Sequence, residues 1–298
     1  MTPLVRAAGA GAAVAAAGAG ALLYGWQVER DAFTLRHDEV AVLPQGTPAL
    51  RLLHVSDLHL RADRVALVSW VRDLARLEPD LVVATGDFLA AADAVPTVVS
   101  ALGPLLAFPG LFVPGNADYW APVPKSPTRY LSQRRKHGPP LPWPDLAAAL
   151  VSAGWHDLTQ VRTRITVRGI DLEVRGVDDP YLGKDDYAAI AGAADPAADA
   201  RLGLAHAPEP RVVDAMTRDG VDLVLAGHTH GGQVRVPGLG ALITNCGIDR
   251  GRARGLHRYG AGGRVSWLHV SAGLGTSPYA PVRLCCRPEA TLLSLTPR

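Results

Sequence analysis

Leu225-Ala226-Gly227-His228-Thr229-His230-Gly231-Gly232 is the stretch on which the reading of this chain turns. The apolar run from Val221 to Ala226 predicts a buried strand. It ends in a glycine-flanked His-x-His, where two side chains and a pliable backbone can close on a cation. Imidazole suits borderline ions such as Zn, Mn and Fe. Taken alone, the same motif also fits a solvated surface turn. Its meaning has to come from the other strand ends of the chain.

Upstream, the pattern repeats. Leu50 to Val55 predicts a buried strand that runs into Ser56-Asp57-Leu58-His59. Val65 to Leu77 carries its apolar residues at a helical period, and a second buried strand, Leu81 to Ala84, ends in Thr85-Gly86-Asp87. A helical stretch from Val95 to Ala107 leads to Leu111-Phe112-Val113 and then Pro114-Gly115-Asn116-Ala117-Asp118. Leu202 to Ala205 ends at His206, and Val212 to Met216 predicts the helix before the His-x-His strand. Open α/β sheets place their ligand sites at the carboxyl ends of strands, which is where these residues fall. Asp57 with His59, Asp87, Asn116, His206, and His228 with His230 offer more nitrogen and oxygen ligands than one tetrahedral ion needs. Two divalent ions (Mn, Fe or Zn), bridged by one carboxylate, are the natural solution.

The chain of 298 residues is long enough for a large α/β domain with a real core. A net charge of +2 gives no global reason to expect a nucleic-acid partner. Cys246, Cys285 and Cys286 show no metal-type spacing and read as structural. Residues 1–30 read as a membrane anchor or signal segment, 31–49 as a linker or edge segment, and 50–298 as the catalytic domain. Ala7 to Val28 is uncharged and of spanning length, with Tyr24 and Trp26 placed as interfacial anchors, but it is mostly Ala and Gly. A cleaved signal and a flexible tail are the competing readings. With Arg6 kept inside, the domain would lie on the extracytoplasmic side of the cell membrane, or be secreted.

Tyr119 to Pro144 carries Lys125, Arg129, Arg134, Arg135 and Lys136, has no acidic residue and is broken by seven prolines. A loop of that length after a site strand reads as a lid or substrate-binding arm, against a plain surface excursion. Arg164 to Val177 predicts a hairpin about Arg168-Gly169. Asp178-Asp179-Pro180 could hold metal but is first of all a turn. Arg250, Arg252 and Arg254 form a cluster able to grip phosphate, or a solvated loop. His54, His137, His156 and His269 are assigned to core or surface.

Asp57-x-His59, Gly86-Asp87, Gly115-Asn116, His206 and Gly227-His228-x-His230, in that order, resemble the calcineurin-like metallophosphoesterase superfamily. Gly-His-Thr-His-Gly-Gly-Gln, Asp118-Tyr119-Trp120 and Gly273-Leu274-Gly275-Thr276-Ser277 look closest to its membrane-associated YkuE-like branch. The resemblance implies a four-layer α/β/β/α sandwich. It implies one metal on Asp57, His59, Asp87 and His230, and a second on Asp87, Asn116, His206 and His228. It further implies catalytic roles for Asp87, Asn116 and His228 in hydrolysis of phosphodiester, phosphomonoester or pyrophosphate bonds by a metal-activated hydroxide. The substrate would be a phosphorylated small molecule or lipid.

One departure stands out. The family usually has His directly after the Asn, where it binds phosphate and protonates the leaving group, and here the residue is Ala117. General acid help is commonly worth about 10²–10⁴ in rate. Tyr119, His257 or the Arg250 to Arg254 loop are the candidates to supply it. Two other readings therefore stand beside the hydrolase: a metal-bound scaffold or sensor that has lost turnover, and a lipid-headgroup pyrophosphatase at the membrane.

Overall fold

Leu81-Val82-Val83-Ala84-Thr85 is apolar on both faces of its pleat, so it needs cover on both sides, and all five residues are buried. The computed structural model describes residues 3–124 and 137–298, with side chains from residue 15 onward. Lys125, Arg129, Arg134, Arg135 and Lys136 of the basic arm lie outside the described residues.

The strands, in chain order, are β1 (Thr34–Leu43), β2 (Leu50–Val55), β3 (Leu81–Thr85), β4 (Gly110–Val113), β5 (His156–Asp157), β6 (Val161–Val167), β7 (Ile170–Gly176), β8 (Ala200–Leu204), β9 (Leu223–Ala226), β10 (Arg235–Val236), β11 (Gly240–Ala241), β12 (Gly255–Ala261), β13 (Arg264–Val270) and β14 (Glu289–Pro297). The helices are α1 (Pro3–Gln27), α2 (Val65–Asp73), α3 (Val95–Leu102), α4 (Asn116–Tyr119), α5 (Trp143–Ser152) and α6 (Pro210–Asp219). One six-stranded sheet runs β1-β14-β2-β3-β4-β5, and the other runs β12-β13-β9-β8-β7-β6. Strands β2 to β5 pair in parallel, as do β7, β8 and β9, so their carboxyl ends emerge together at one edge of each sheet.

The two sheets pack face to face. Leu50, Leu52, Leu81, Val83 and Leu111 of the first meet Leu172, Val174, Leu202, Leu204, Leu223 and Leu225 of the second. Helices α2, α3 and α5 cover the outer face of the first sheet, and α6 covers that of the second. The result is a mixed α/β sandwich. Each fully buried Leu or Val contributes roughly 1.5–3 kcal/mol of transfer free energy. Packing of this kind fixes where the strand ends stand.

Three segments differ from, or sharpen, what the sequence suggests. Within 31–49, Thr34–Leu43 is an edge strand in parallel register with the C-terminal β14. The sequence alone hides this, because the partner strand lies at the far end of the chain and no local period announces it. The hairpin forms as expected, with Arg168 and Gly169 at φ 52° and 79° closing a two-residue turn. Residues 7 to 27 are helical within α1, but among the described residues no helix is long and apolar enough to cross a membrane. Alanine and glycine do not supply the transfer free energy of leucine or valine. The expected membrane span is therefore not supported.

A polar pair lies between the sheets. His54 Nδ1 and His269 Nδ1 are 2.9 Å apart, and both side chains are fully buried. Burial, and then His269, hold His54 well below the usual imidazole value, while burial, and then Arg36, push His269 down to about 3. Both folded values lie under the unfolded one. As pH falls through the unfolded value near 6.5, the unfolded chain takes up protons the folded chain refuses, and stability is lost. Urea unfolding of the metal-free chain at pH 7 and pH 5 should show this, and the double substitution His54→Leu, His269→Leu should remove roughly 2–4 kcal/mol of the difference. Parallel pH curves for the two proteins would refute the assignment.

Candidate metal centre

Each site strand stops and turns at once. Asp57, His59, Asp87, His228 and His230 have φ of 53°, 42°, 55°, 66° and 48°, all in the left-handed region. Non-glycine residues enter it at a cost of order 1–3 kcal/mol each, and Asp and His are among those that tolerate it better than branched residues. The turns aim the side chains across the gap between the two sheet edges. Space is made by glycine: a Cβ on Gly227 would overlap Ser56 Oγ, and one on Gly115 would overlap Asp87 Oδ1.

The structure brings six of the seven residues together, and the seventh, Asn116, lines the same cleft. Asp57, His59, Asp87 and His230 offer ligand atoms that all lie within 4.8 Å of one another, and so do Asp87, His206 and His228. Asp87 belongs to both groups. Its Oδ2 is 3.3 Å from His59 Nε2 and its Oδ1 is 3.3 Å from His206 Nε2. His59 Nε2 and His230 Nε2 are 3.2 Å apart, as are His206 Nε2 and His228 Nδ1. Asn116 lines the same cleft, and its buried Oδ1 has no hydrogen-bond partner. Nitrogen and oxygen atoms this close, with a buried amide oxygen left unpaired, fit two borderline divalent cations.

Charge is polarised across the pair of groups. Burial works against the Asp87 carboxylate, but His206 and then His59 hold it far below the ordinary carboxylate range. Burial likewise opposes the His206 cation, and the Asp87 carboxylate overrides it, lifting His206 well above the imidazole value. On the other side, burial and then the neighbouring His59 hold His230 well below it.

A shell of residues the sequence reading did not assign fixes these ligands. Asp118, fully buried, accepts hydrogen bonds from the backbone N–H groups of Asp87, Phe88, Leu89 and Gly115 at 2.7–3.0 Å. Burial, then the Asp87 charge, push its carboxyl up to about 7, against the pull of those amides. His206 Nδ1 donates to the Thr85 carbonyl at 2.6 Å, which frees Nε2 to face Asp87. Arg283, fully buried, reaches His230 Nδ1 at 3.3 Å and the carbonyls of Ala272, Gly273 and Gly275. Glu29 accepts from the amides of Cys285 and Cys286, tying the end of α1 to the same loop.

The Asp57 carboxylate heads a longer chain. Ser56 Oγ donates to Asp57 Oδ2 at 2.6 Å, Thr85 Oγ1 donates to Ser56 Oγ at 2.8 Å, and His54 Nε2 stands 2.9 Å from Thr85 Oγ1. Because the carboxylate only accepts, each hydroxyl spends its proton toward it, so His54 Nε2 donates to Thr85. His54 Nδ1 is then the acceptor for His269 Nδ1–H, and both rings are neutral. The chain of donors runs one way, from the inter-sheet core to Asp57.

The remaining candidates resolve individually. Tyr119 donates its hydroxyl to Asp178 Oδ1 at 2.7 Å, and His257 Nε2 pairs with the Arg254 carbonyl at 2.8 Å. Arg252 lies over the Tyr259 ring, and Arg250, Arg252 and Arg254 do not line the cleft. None of these is among the residues that line the cleft. Ala117 itself lines the cleft and donates its backbone N–H to Asp87 Oδ1 at 2.7 Å. Asp179 accepts from the amides of Tyr181 and Leu182, so Asp178-Asp179-Pro180 is a turn. His137, assigned to core or surface, lines the cleft beside Trp120.

Asp118→Asn should test the clamp. An amide group offers one acceptor oxygen where the carboxylate offers two, and sets an N–H₂ against backbone donors. The loss should be roughly 2–4 kcal/mol of unfolding free energy, read by urea denaturation of the metal-free protein. Stability equal to that of the parent would show that the clamp carries nothing.

A family model of the calcineurin-like phosphoesterases matches residues 50–232. The chain is 27% identical over 267 residues to the metallophosphoesterase YkuE of Bacillus subtilis, covering 86% of this chain and 82% of that protein. It is 28% identical over 272 residues to the phosphodiesterase YaeI of Escherichia coli, covering 88% of each. Among solved structures, the protein TT1561 of Thermus thermophilus matches with a TM-score of 0.41 and 16% identity, over 76% of this chain and 91% of that one. With the matched model spanning most of the chain and two clusters of Asp and His sharing Asp87, the chain belongs to the calcineurin-like phosphoesterase family, hydrolases that act on phosphoric esters and use a dimetal centre.

Proposed function

We propose that this protein is a two-metal phosphodiesterase, with Asp57, His59, Asp87 and His230 holding one cation and Asp87, Asn116, His206 and His228 the other. The observation that supports this most is the single carboxylate shared by two groups of ligands. Two cations held there would lower the pKa of water and neutralise the phosphoryl oxygens during in-line displacement. The protein's part is to set them in place. Asp87 supplies the shared negative charge, Asn116 a neutral oxygen, and His206 an Nε2 whose tautomer the Thr85 carbonyl fixes. His228 donates its backbone N–H to both Asp57 oxygens at 3.1 Å, so the two halves of the centre are joined through protein as well. Asn116 and His228 also line the cleft, where they would meet the phosphoryl group.

Ala117 shapes the choice of substrate. It offers no proton to a departing alkoxide, so esters with good leaving groups lose least. The relative YaeI is named a phosphodiesterase, which points the same way. The same residue favours a second reading, a scaffold that binds metal without turnover.

On the full chain, which keeps Glu29 in place, Mn or Zn loading should yield hydrolysis of bis(p-nitrophenyl) phosphate. Asp87→Asn should lower it by about 100-fold or more and reduce the bound metal. Undiminished activity in Asp87→Asn would remove the mechanism. An inactive parent that gains turnover through Ala117→His would establish the scaffold instead.

Metal uptake should depend on pH in a defined direction. The proton that Asp87 stabilises on His206 must leave before the ring can ligate, so binding releases protons and tightens as pH rises. Titration with Mn in two buffers of different ionisation enthalpy reads the proton count directly. Affinity independent of pH between about 6 and 8 would contradict it.

A further inference from the structure

The cleft that opens onto the metal centre has mixed walls, with apolar side chains beside Thr229, Gln233, Asn245 and Ser277. It has a volume of about 580 Å³. Its walls include Leu22, Trp120, Val123, Leu242, Ile243 and Val282. Among its described lining residues there is no Lys, Arg or Glu, and Asp87 is the only carboxylate.

The surface around the mouth continues the pattern. Apart from Val65, Val151 and Val265, every large hydrophobic side chain described as exposed sits on one of three segments: Leu22 to Val28 at the end of α1, Val236 to Ile243, and Tyr279. These segments are bound to one another. Gly25 O accepts from Arg283 N, Gln233 Nε2 donates to the carbonyls of Ala280 and Val282, and Arg235 N donates to Leu284 O. Leu22, Leu242, Ile243 and Tyr279, at 54%, 41%, 48% and 53% exposure, both line the cleft and form its rim. Isolated exposed leucines need no explanation, but a run of them continuous with a catalytic cleft marks a surface for an apolar ligand.

We infer that the substrate is a phosphoester of a long-chain lipid, its phosphoryl group at the metals and its hydrocarbon chain along Leu22, Leu242, Ile243 and Tyr279. The place of the phosphate rests on the phosphodiesterase reading above. The identity of the tail rests on the cleft alone. A free nucleotide or sugar phosphate would leave the apolar rim at Leu22, Leu242 and Ile243 against water.

The test is a series of n-alkyl phosphates, from ethyl to octyl, used below their micellar concentrations with the full, Mn-loaded chain. Competition against bis(p-nitrophenyl) phosphate and direct calorimetric binding are both measured. Each added methylene should tighten binding about two- to fourfold. Ile243→Asp should flatten that dependence. An equal affinity across the series overturns the inference, and so does octyl alcohol binding as tightly as octyl phosphate, which would reveal an unspecific apolar patch. The two readings fail separately. Turnover of the aryl diester with a flat series removes the lipid substrate and keeps the hydrolase. Chain-length dependence in calorimetry without any turnover removes the hydrolase and keeps the lipid ligand. If Ile243→Asp does not fold, the series on the parent protein still decides.

Discussion

One buried carboxylate, Asp87, is shared by two groups of imidazoles drawn from different sheets, and its position governs what the rest of the centre can do. An anion with no exposed surface to speak of is costly unless positive charge stands close. Here His59 and His206 flank its two oxygens at equal distance, 3.3 Å each. In the metal-free protein they hold it ionised. The same two oxygens face the two groups of residues that would hold a pair of cations. Asp118 supports this by taking up the backbone N–H groups of Asp87, Phe88 and Leu89, while Asp87 itself accepts one backbone N–H, from Ala117.

The backbone at the ligands is a second expression of the same constraint. A strand end that continued extended would send its side chains to alternate faces of the sheet. Left-handed turns at Asp57, His59, Asp87, His228 and His230 send them off the end of the sandwich instead, toward a common point. Strained conformations of this kind persist only when the surroundings over-determine them. The parallel ladders beneath, β2 against β3 and β8 against β9, and the inter-sheet core supply that rigidity. Stability is thus concentrated in the core, and the ligand geometry draws on it.

Support also extends from the core to the centre through hydrogen bonds. The one-way series from His269 through His54, Thr85 and Ser56 ends on Asp57, and every donor along it is committed. A relay of this sort orients a carboxylate more narrowly than packing does, because reversing any link would leave a buried hydroxyl or ring nitrogen facing another donor. Beyond the ligand residues the character changes. The cleft is closed in by aliphatic and aromatic side chains, and α1 contributes to it because Glu29 and Gly25 fasten the end of that helix to the loop around Arg283.

Much of this was legible from local pattern. Apolar runs of strand length followed by Gly with Asp, Asn or His marked the strand ends, and the alternation of strands with helical periods marked a layered α/β chain; both signals lie within a few residues of each other in sequence. What sequence could not give was anything carried by long-range pairing. Thr34–Leu43 joins a sheet only through β14, Arg283 meets His230 across 53 positions, and His54 meets His269 across 215. Asp118 sat in plain view beside Asn116, but its four amide partners come together only once β3 and β4 lie side by side. Likewise, Tyr119, His257 and the arginines of 250–254 looked available for proton transfer until the fold gave each another partner or another place. The sequence by itself determined which chemistry was present, because ligand type is a property of single residues. Tertiary structure decided which of those residues share an ion, which are held by neighbours and what lines the approach, because distance and burial are properties of the packed chain.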